Sequence, residues 1–207
     1  MPTLTIYAGI NGAGKSTLYE FQRVMLKPDD LGVRVCPDDI LTAFNGNWQE
    51  YSDINKSGRK ALLLLKDCLE NKQTFNWEFT LITPFVIKQI KTAKLLGYTV
   101  NLNFIGVEKV EQSLERIDYR VSRGGHGIAK ERVKLRFERQ FDNIGETLGL
   151  VDNAIFYDNS VSMTIVATKV NGLLKVYTTD VTWPTKLKEN YNLYRQTLLA
   201  PPKNMGK

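Results

Sequence analysis

A glycine-rich stretch, "AGINGAGKSTL" (Ala8–Leu18), constrains this chain more than any other segment. Gly9, Gly14, Lys15 and Ser16 satisfy the pattern G-x-x-x-x-G-K-[ST], in which backbone N–H groups wrap around phosphates. The lysine reaches the β and γ oxygens, and the hydroxyl binds Mg²⁺. The loop residues expected on a nucleotide are Gly9, Asn11, Gly12, Ala13, Gly14, Lys15, Ser16 and Thr17, with Ser16 as the metal ligand. Such a loop requires a strand before it and a helix after it. "TLTIYA" (Thr3–Ala8) is apolar and β-branched, and helical spacing starts at Lys15 and runs to about Val24.

The rest of the chain repeats that alternation. "VRVC", "FNWEFT", "YTVNLNFIG" and "AIFYDNS" read as strands. A helix over "SDINKSGRKALLLLKDCLENK" is expected to be capped by Ser52 or Asp53, with Leu63, Leu64 and Leu65 on its core face. "TPFVIKQIKTAKLLG" has proline at its start and Gly97 past its end. Strands alternating with helices imply an α/β fold: a P-loop kinase-like parallel-sheet core with flanking helices and right-handed crossovers. A polar helix over about Val107–Val121 is followed by "SRGGHG", and "IAKERVKLRFERQFDNI" reads as one further helix. Together they form an expected mobile helical lid segment. "SMTIVATKVNGLLKVYTTDV" predicts a C-terminal β-hairpin turning at Asn171 and Gly172, before a last helix after Pro184 and a frayed "PPKNMGK" tail.

Composition supports one globular domain over residues 1–207, with 43% hydrophobic and 24% charged residues. Cys36 and Cys68 match neither a disulfide framework nor a metal-ligand spacing, and no run is long and apolar enough to span a membrane or direct export. A cytoplasmic protein with no membrane partner is the expectation. The net charge of +6 is local: Arg120 to Arg139 holds seven basic residues against two acids. With no stacking platform nearby, that segment suits a small polyanion better than nucleic acid.

Three further features bear on chemistry. In "VCPDDIL", a strand runs into Pro37, Asp38 and Asp39, placing a carboxylate at the sheet edge where such folds bind ligands. It could take the proton of an attacking hydroxyl. In "FNWEFTLITP", Glu78 and Thr80 share one side of their strand, and Trp77 and Phe79 the other. In the lid, Arg120 and Arg123 are three apart on one expected helix face, suited to neutralising a transferred phosphate, while Gly124 and Gly125 supply a hinge. His126 is the one histidine and suits a structural hydrogen bond better than catalysis.

Four of these pieces in order, "GINGAGKST", "CPDDI", "WEFTL" and "RVSRGGHGI", with "YDNS" as a fifth, make the chain resemble the zeta toxin family from Thr3 to about Ser160. These are P-loop kinases typified by enzymes that phosphorylate UDP-N-acetylglucosamine. The resemblance implies Lys15 for phosphate contact, Ser16 for Mg²⁺, Asp38 as general base, Glu78 and Thr80 for substrate, and Arg120 for the transferred phosphate. Phe79 stands where family members usually carry a small residue, and Asp39 adds a second acid beside the base. The expected activity is transfer of the γ-phosphate of ATP, with Mg²⁺, to a small-molecule hydroxyl, and a nucleotide sugar is one candidate. Two rival readings are a nucleotide-dependent switch without an acceptor and a kinase-like fold that does no chemistry. Because the first strand begins at Thr3, any antitoxin is expected to be a separate chain.

Overall fold

Five apolar segments that alternate with helices assemble into the parallel part of one seven-stranded sheet. The computed structural model describes residues 1–177 and 180–199. Its elements run β1 (Thr3–Ala8), α1 (Lys15–Met25), α2 (Pro28–Leu31), β2 (Val33–Val35), α3 (Pro37–Ala43), α4 (Tyr51–Glu70), β3 (Phe75–Phe79) and α5 (Pro84–Leu95). Then follow β4 (Thr99–Gly106), α6 (Val110–Ser122), α7 (Lys130–Glu138), α8 (Ile144–Leu150), β5 (Asn153–Asp158), β6 (Thr164–Val170), β7 (Leu173–Val176) and α9 (Trp183–Leu199). The strand order is β2-β3-β1-β4-β5-β6-β7. The first five strands pair in parallel, and β6 and β7 add antiparallel at one edge. This is the expected core with its C-terminal hairpin. Thr178 and Thr179, inside the predicted hairpin segment, and the "PPKNMGK" tail lie outside the described residues.

The central strand β1 is buried almost throughout because helices cover both faces of the sheet. Leu4, Ile6 and Ala8 join the larger core, with Trp77, Val100, Leu102 and Phe104. Tyr7 faces a second core with Ile10, Leu18, Ile105 and Ile117. The parallel register carries the C-terminal ends of β1 and β3 to one edge, where Tyr7 pairs with Glu78 and Ala8 with Phe79. The site is built on that edge.

Several local expectations are corrected. α4 begins at Tyr51 with Glu50 as its N-cap and no side-chain cap, so neither Ser52 nor Asp53 caps it. The Asp53 carboxylate instead accepts the Asn47 N–H at 2.8 Å. Its core face is Ala61, Leu65, Cys68 and Leu69, whereas Leu63 is 68% exposed. Three consecutive leucines spread over about 200° of helix, so they cannot all face one way. The helix expected over "IAKERVKLRFERQFDNI" stops at Glu138, well before the end of that segment. Asn143, at φ 60°, adopts the left-handed conformation and starts α8 in a new direction.

Candidate active site

Gly14, at φ 108°, leads into α1 without a side-chain cap, so the first backbone N–H groups of that helix are left for a ligand. With no acid in the first turn, the positive end of the helix is also uncompensated from within, which suits an anion. Gly9 is required sterically: a Cβ there would sit 2.2 Å from the Ile105 carbonyl oxygen of β4. The loop is braced from two sides. Asn159, just past β5, donates to the Ala13 carbonyl at 2.8 Å. Arg116 of α6 donates to the carbonyls of Asn159 at 2.6 Å and Gly12 at 3.4 Å. The "YDNS" segment, which carries no chemical signature of its own, therefore props the phosphate loop.

Lys15 is buried, donates to the Ile10 carbonyl at 3.1 Å and lies 3.7 Å from Glu78 Oε1. Burial pushes its ammonium below the ordinary lysine range, opposed by the charges of Glu78 and Asp38. The Ser16 hydroxyl lies 3.4 and 3.3 Å from the two Glu78 oxygens. Glu78, buried near the end of β3, also accepts from Arg34 Nη2 at 2.5 Å. Thr80, which follows β3, is half-buried and faces the wider cleft described below.

Two clefts meet here. One, of about 410 Å³, is lined by the loop residues Asn11, Gly12, Gly14, Lys15, Ser16 and Thr17 together with Arg116, Arg120 and Asn159. The other, of about 680 Å³, runs between α4 and the β3–α5 connection past Arg59, Leu62, Trp77, Phe79, Thr80 and Phe85. Asn11, Lys15, Asp38 and Glu78 line both. Of the residues the sequence singled out, Lys15, Ser16, Asp38, Glu78 and Arg120 therefore converge, and Ala13 is buried beneath the loop.

Arg123 does not converge with them. α6 ends at Ser122, and Arg123 is its C-cap, its guanidinium 5.0 Å from the Tyr119 ring centre. The helical spacing that would have put it beside Arg120 stops one residue too soon. Arg136 of α7 takes its place: it lines the wider cleft and donates to Asn11 Oδ1. Burial and the neighbouring Arg132 lower its pKa, and Asp38 opposes them. Arg120 Nε is buried without a hydrogen-bond partner among the described residues. His126 bonds across the cleft mouth, with Nε2 3.3 Å from Thr42 Oγ1, and Thr42 in turn donates to the Asp38 carbonyl. Asp39 pairs with Arg34 at 3.0 Å instead of facing the clefts.

The sequence profile of the zeta toxin family matches residues 1–182. The chain belongs to the zeta toxin family. An uncharacterized protein of Haemophilus influenzae is 39% identical over 131 residues, covering 63% of this chain and 89% of that protein. Among solved structures, the AvrRxo1-ORF1:AvrRxo1-ORF2 complex with sulphate ions gives a TM-score of 0.65 at 17% identity, covering 100% of this chain. The same pair solved with ATP gives 0.62. This chain spans just under two thirds, 66%, of the length of that neighbour. The PezAT chromosomal toxin-antitoxin system of Streptococcus pneumoniae gives 0.59 at 18% identity, covering 96% of this chain and 86% of that one. At these identities the structural likeness is one of fold, and the fold is the P-loop kinase type. Among the described residues no helix is long and apolar enough to cross a membrane.

The donor set suits Mg²⁺. This hard, small cation takes few protein ligands and keeps its waters and the substrate phosphates, and here one hydroxyl, Ser16, stands beside one carboxylate, Glu78.

Proposed function

We propose that the protein binds ATP on the phosphate loop and transfers its γ-phosphate to a hydroxyl of a small molecule held in the wider cleft. The observation that carries this reading is the meeting of a phosphate-loop cleft and an acceptor-sized cleft at Lys15, Asp38 and Glu78. Asp38 takes the proton of the acceptor hydroxyl. The freed oxygen forms the new bond to the γ-phosphorus, and the bond from that phosphorus to the bridging oxygen breaks, with ADP as leaving group. Lys15 follows the β and γ oxygens, and Arg120 and Arg136 meet the equatorial charge that builds in the transition state. Ser16, with Glu78 beside it, would hold a Mg²⁺ ion, which would supply further positive charge against the phosphates.

The Trp77, Phe79 and Leu62 walls with Thr80 and Arg59 at the rim suit an acceptor with both an apolar ring and polar groups. A nucleotide sugar such as UDP-N-acetylglucosamine meets that description. The likeness in fold to a chain of a toxin-antitoxin system favours a separate antitoxin chain as partner.

The test is a screen of cell-extract metabolites for a mass gain of one phosphate, with ATP and Mg²⁺ and wild type set against Asp38→Asn and Lys15→Ala. A product made by wild type alone supports the kinase. ATP turnover with no phosphorylated acceptor makes the protein a switch, and unchanged ATP affinity and turnover in Lys15→Ala removes the phosphate-loop assignment.

A further inference from the structure

Arg34, which no sequence motif marks, is 14% exposed and spends its guanidinium on three partners. Nε donates to Asp39 Oδ2 at 3.0 Å, Nη1 to Asn76 Oδ1 at 3.1 Å and Nη2 to Glu78 Oε2 at 2.5 Å. Its carbon end lies 3.7 Å from the centre of the Tyr19 ring, on the helix that leaves the phosphate loop. The parallel register of β2 with β3, which sets Arg34 beside Asn76, makes this possible.

The carboxylate it holds has two ways to serve. Glu78 lines both clefts, so it could turn to an acceptor or to the nucleotide. Here Oε2 belongs to Arg34, Oε1 faces Lys15 at 3.7 Å, and the Ser16 hydroxyl lies within 3.4 Å of each oxygen. Asp39 and Asn76 hold the other two nitrogens, so the guanidinium that grips Glu78 Oε2 is itself fixed in place by a rigid fork that a lysine ammonium lacks.

We infer that Arg34 is a positioning residue for the nucleotide half of the reaction. It clamps Glu78 toward Lys15 and Ser16, where the carboxylate orders the water shell of a magnesium ion, and ties it to Asp39, the neighbour of the base. The inference rests on the ATP-kinase reading. It differs from a merely structural ion pair in one respect: loss of the clamp must weaken magnesium more than ATP. Outer partners of a metal site change metal affinity by roughly 10- to 100-fold when removed.

The experiment compares wild type, Arg34→Gln and Arg34→Lys by thermal melting at saturating ATP while MgCl₂ is titrated, and by calorimetric ATP binding in EDTA. The Mg²⁺ concentration giving half of the magnesium-dependent melting shift should rise about tenfold or more in Arg34→Gln and less in Arg34→Lys. ATP affinity in EDTA should stay within about twofold of wild type. An unchanged magnesium half-point, or equal losses with and without Mg²⁺, overturns the inference. Breaking a buried ion pair is costly, so Arg34→Gln could fail to fold. Arg34→Lys then decides alone, because it keeps the charge and loses the fork. A wild type with no magnesium-dependent ATP shift sinks the kinase reading itself, whereas a wild-type shift that both variants reproduce sinks only the role of Arg34.

Discussion

Arg136 Nη1 donates a hydrogen bond to Asn11 Oδ1, so α7 touches the phosphate loop directly although 125 positions separate the two residues. Arg136 thereby lines the wider cleft and is bonded to Asn11, which lines both, while Arg123 lies outside them against Tyr119. Arg136→Ala should lower turnover by about 10² or more, because a cation at the transferred phosphate acts mainly in the transition state. Arg123→Ala should leave turnover within about threefold of wild type, since a solvated cation over a ring contributes little. Steady-state kinetics of both variants on the same acceptor is the measurement. Equal losses in the two would return Arg123 to the site.

The lid rests on the opposite wall at a second point. A Cβ on Gly127 would fall 2.5 Å from the Trp48 ring, whereas one on Gly124 would meet nothing within 4 Å. Gly127→Ala should therefore push the segment off the α3–α4 connection that carries Trp48, lowering turnover more than ATP affinity and changing indole emission. Gly124→Ala is strained only by its backbone, at φ 82°, and should cost about 1 kcal/mol of stability with turnover largely kept. Melting, tryptophan fluorescence and kinetics on the pair separate contact from strain. If Gly124→Ala proves the more damaging for turnover, the contact with Trp48 does not hold the lid.

Cys36, the N-cap of α3 just past β2, lies near Asp38, yet burial, with the Glu78 charge adding to it, pushes its thiol up from 9.0 to about 12. At pH 8 the native thiolate fraction is then about 10⁻⁴, against about one in ten at the unshifted value. Iodoacetamide should label native Cys36 about 10³ times more slowly than the unfolded chain, as read by mass spectrometry. The linked stability runs in a definite direction. Above pH 9 the unfolded chain releases this proton first, so the thiol's contribution to stability falls as pH rises from 9 toward 12. Rapid native labelling at pH 8 would show that the thiol is neither buried nor shifted.

What could be read from the amino-acid sequence was what local rules determine. The phosphate loop needs only its own glycines, and β1, β3 and β5 announce themselves as apolar runs with polar residues at one end, so motif and spacing mark Lys15, Ser16, Glu78 and the Asp38–Asp39 pair, and the family resemblance singles out Asp38 within that pair. Arg34 could not be found that way. Its meaning depends on the pairing of β2 with β3, a register between segments about forty positions apart. Arg136 was hidden for a related reason: one of seven basic residues in its segment, it is distinguished only by where α7 docks, whereas its neighbours Lys130 and Arg139 make exposed pairs with Asp118 and Asp142. Arg123 stands apart from the clefts because spacing of three means a shared face only while the helix lasts, and α6 ends at Ser122.

The adjacent acids Asp38 and Asp39 offer the clearest separation of chemistry from scaffold. Both lie in the first turn of α3 and so point about 100° apart. Asp38 lines both clefts and opposes the lowering of the Lys15 and Arg136 pKa values, whereas Asp39 is turned to Arg34 and remains 54% exposed. Asp38→Asn keeps the shape and removes the proton acceptor, so transfer should fall by about 10² or more with ATP binding and melting little changed. Asp39→Asn loses a half-exposed ion pair and a favourable charge at the helix N-terminus, about 1 kcal/mol or less, and should keep most activity. Its Arg34 retains Glu78 and Asn76, so the clamp on the nucleotide side survives. Transfer assays and melting curves on the two variants side by side give the answer. An inactive Asp39→Asn beside a working Asp38→Asn would move the base by one residue and turn α3 by about 100° in the reacting complex.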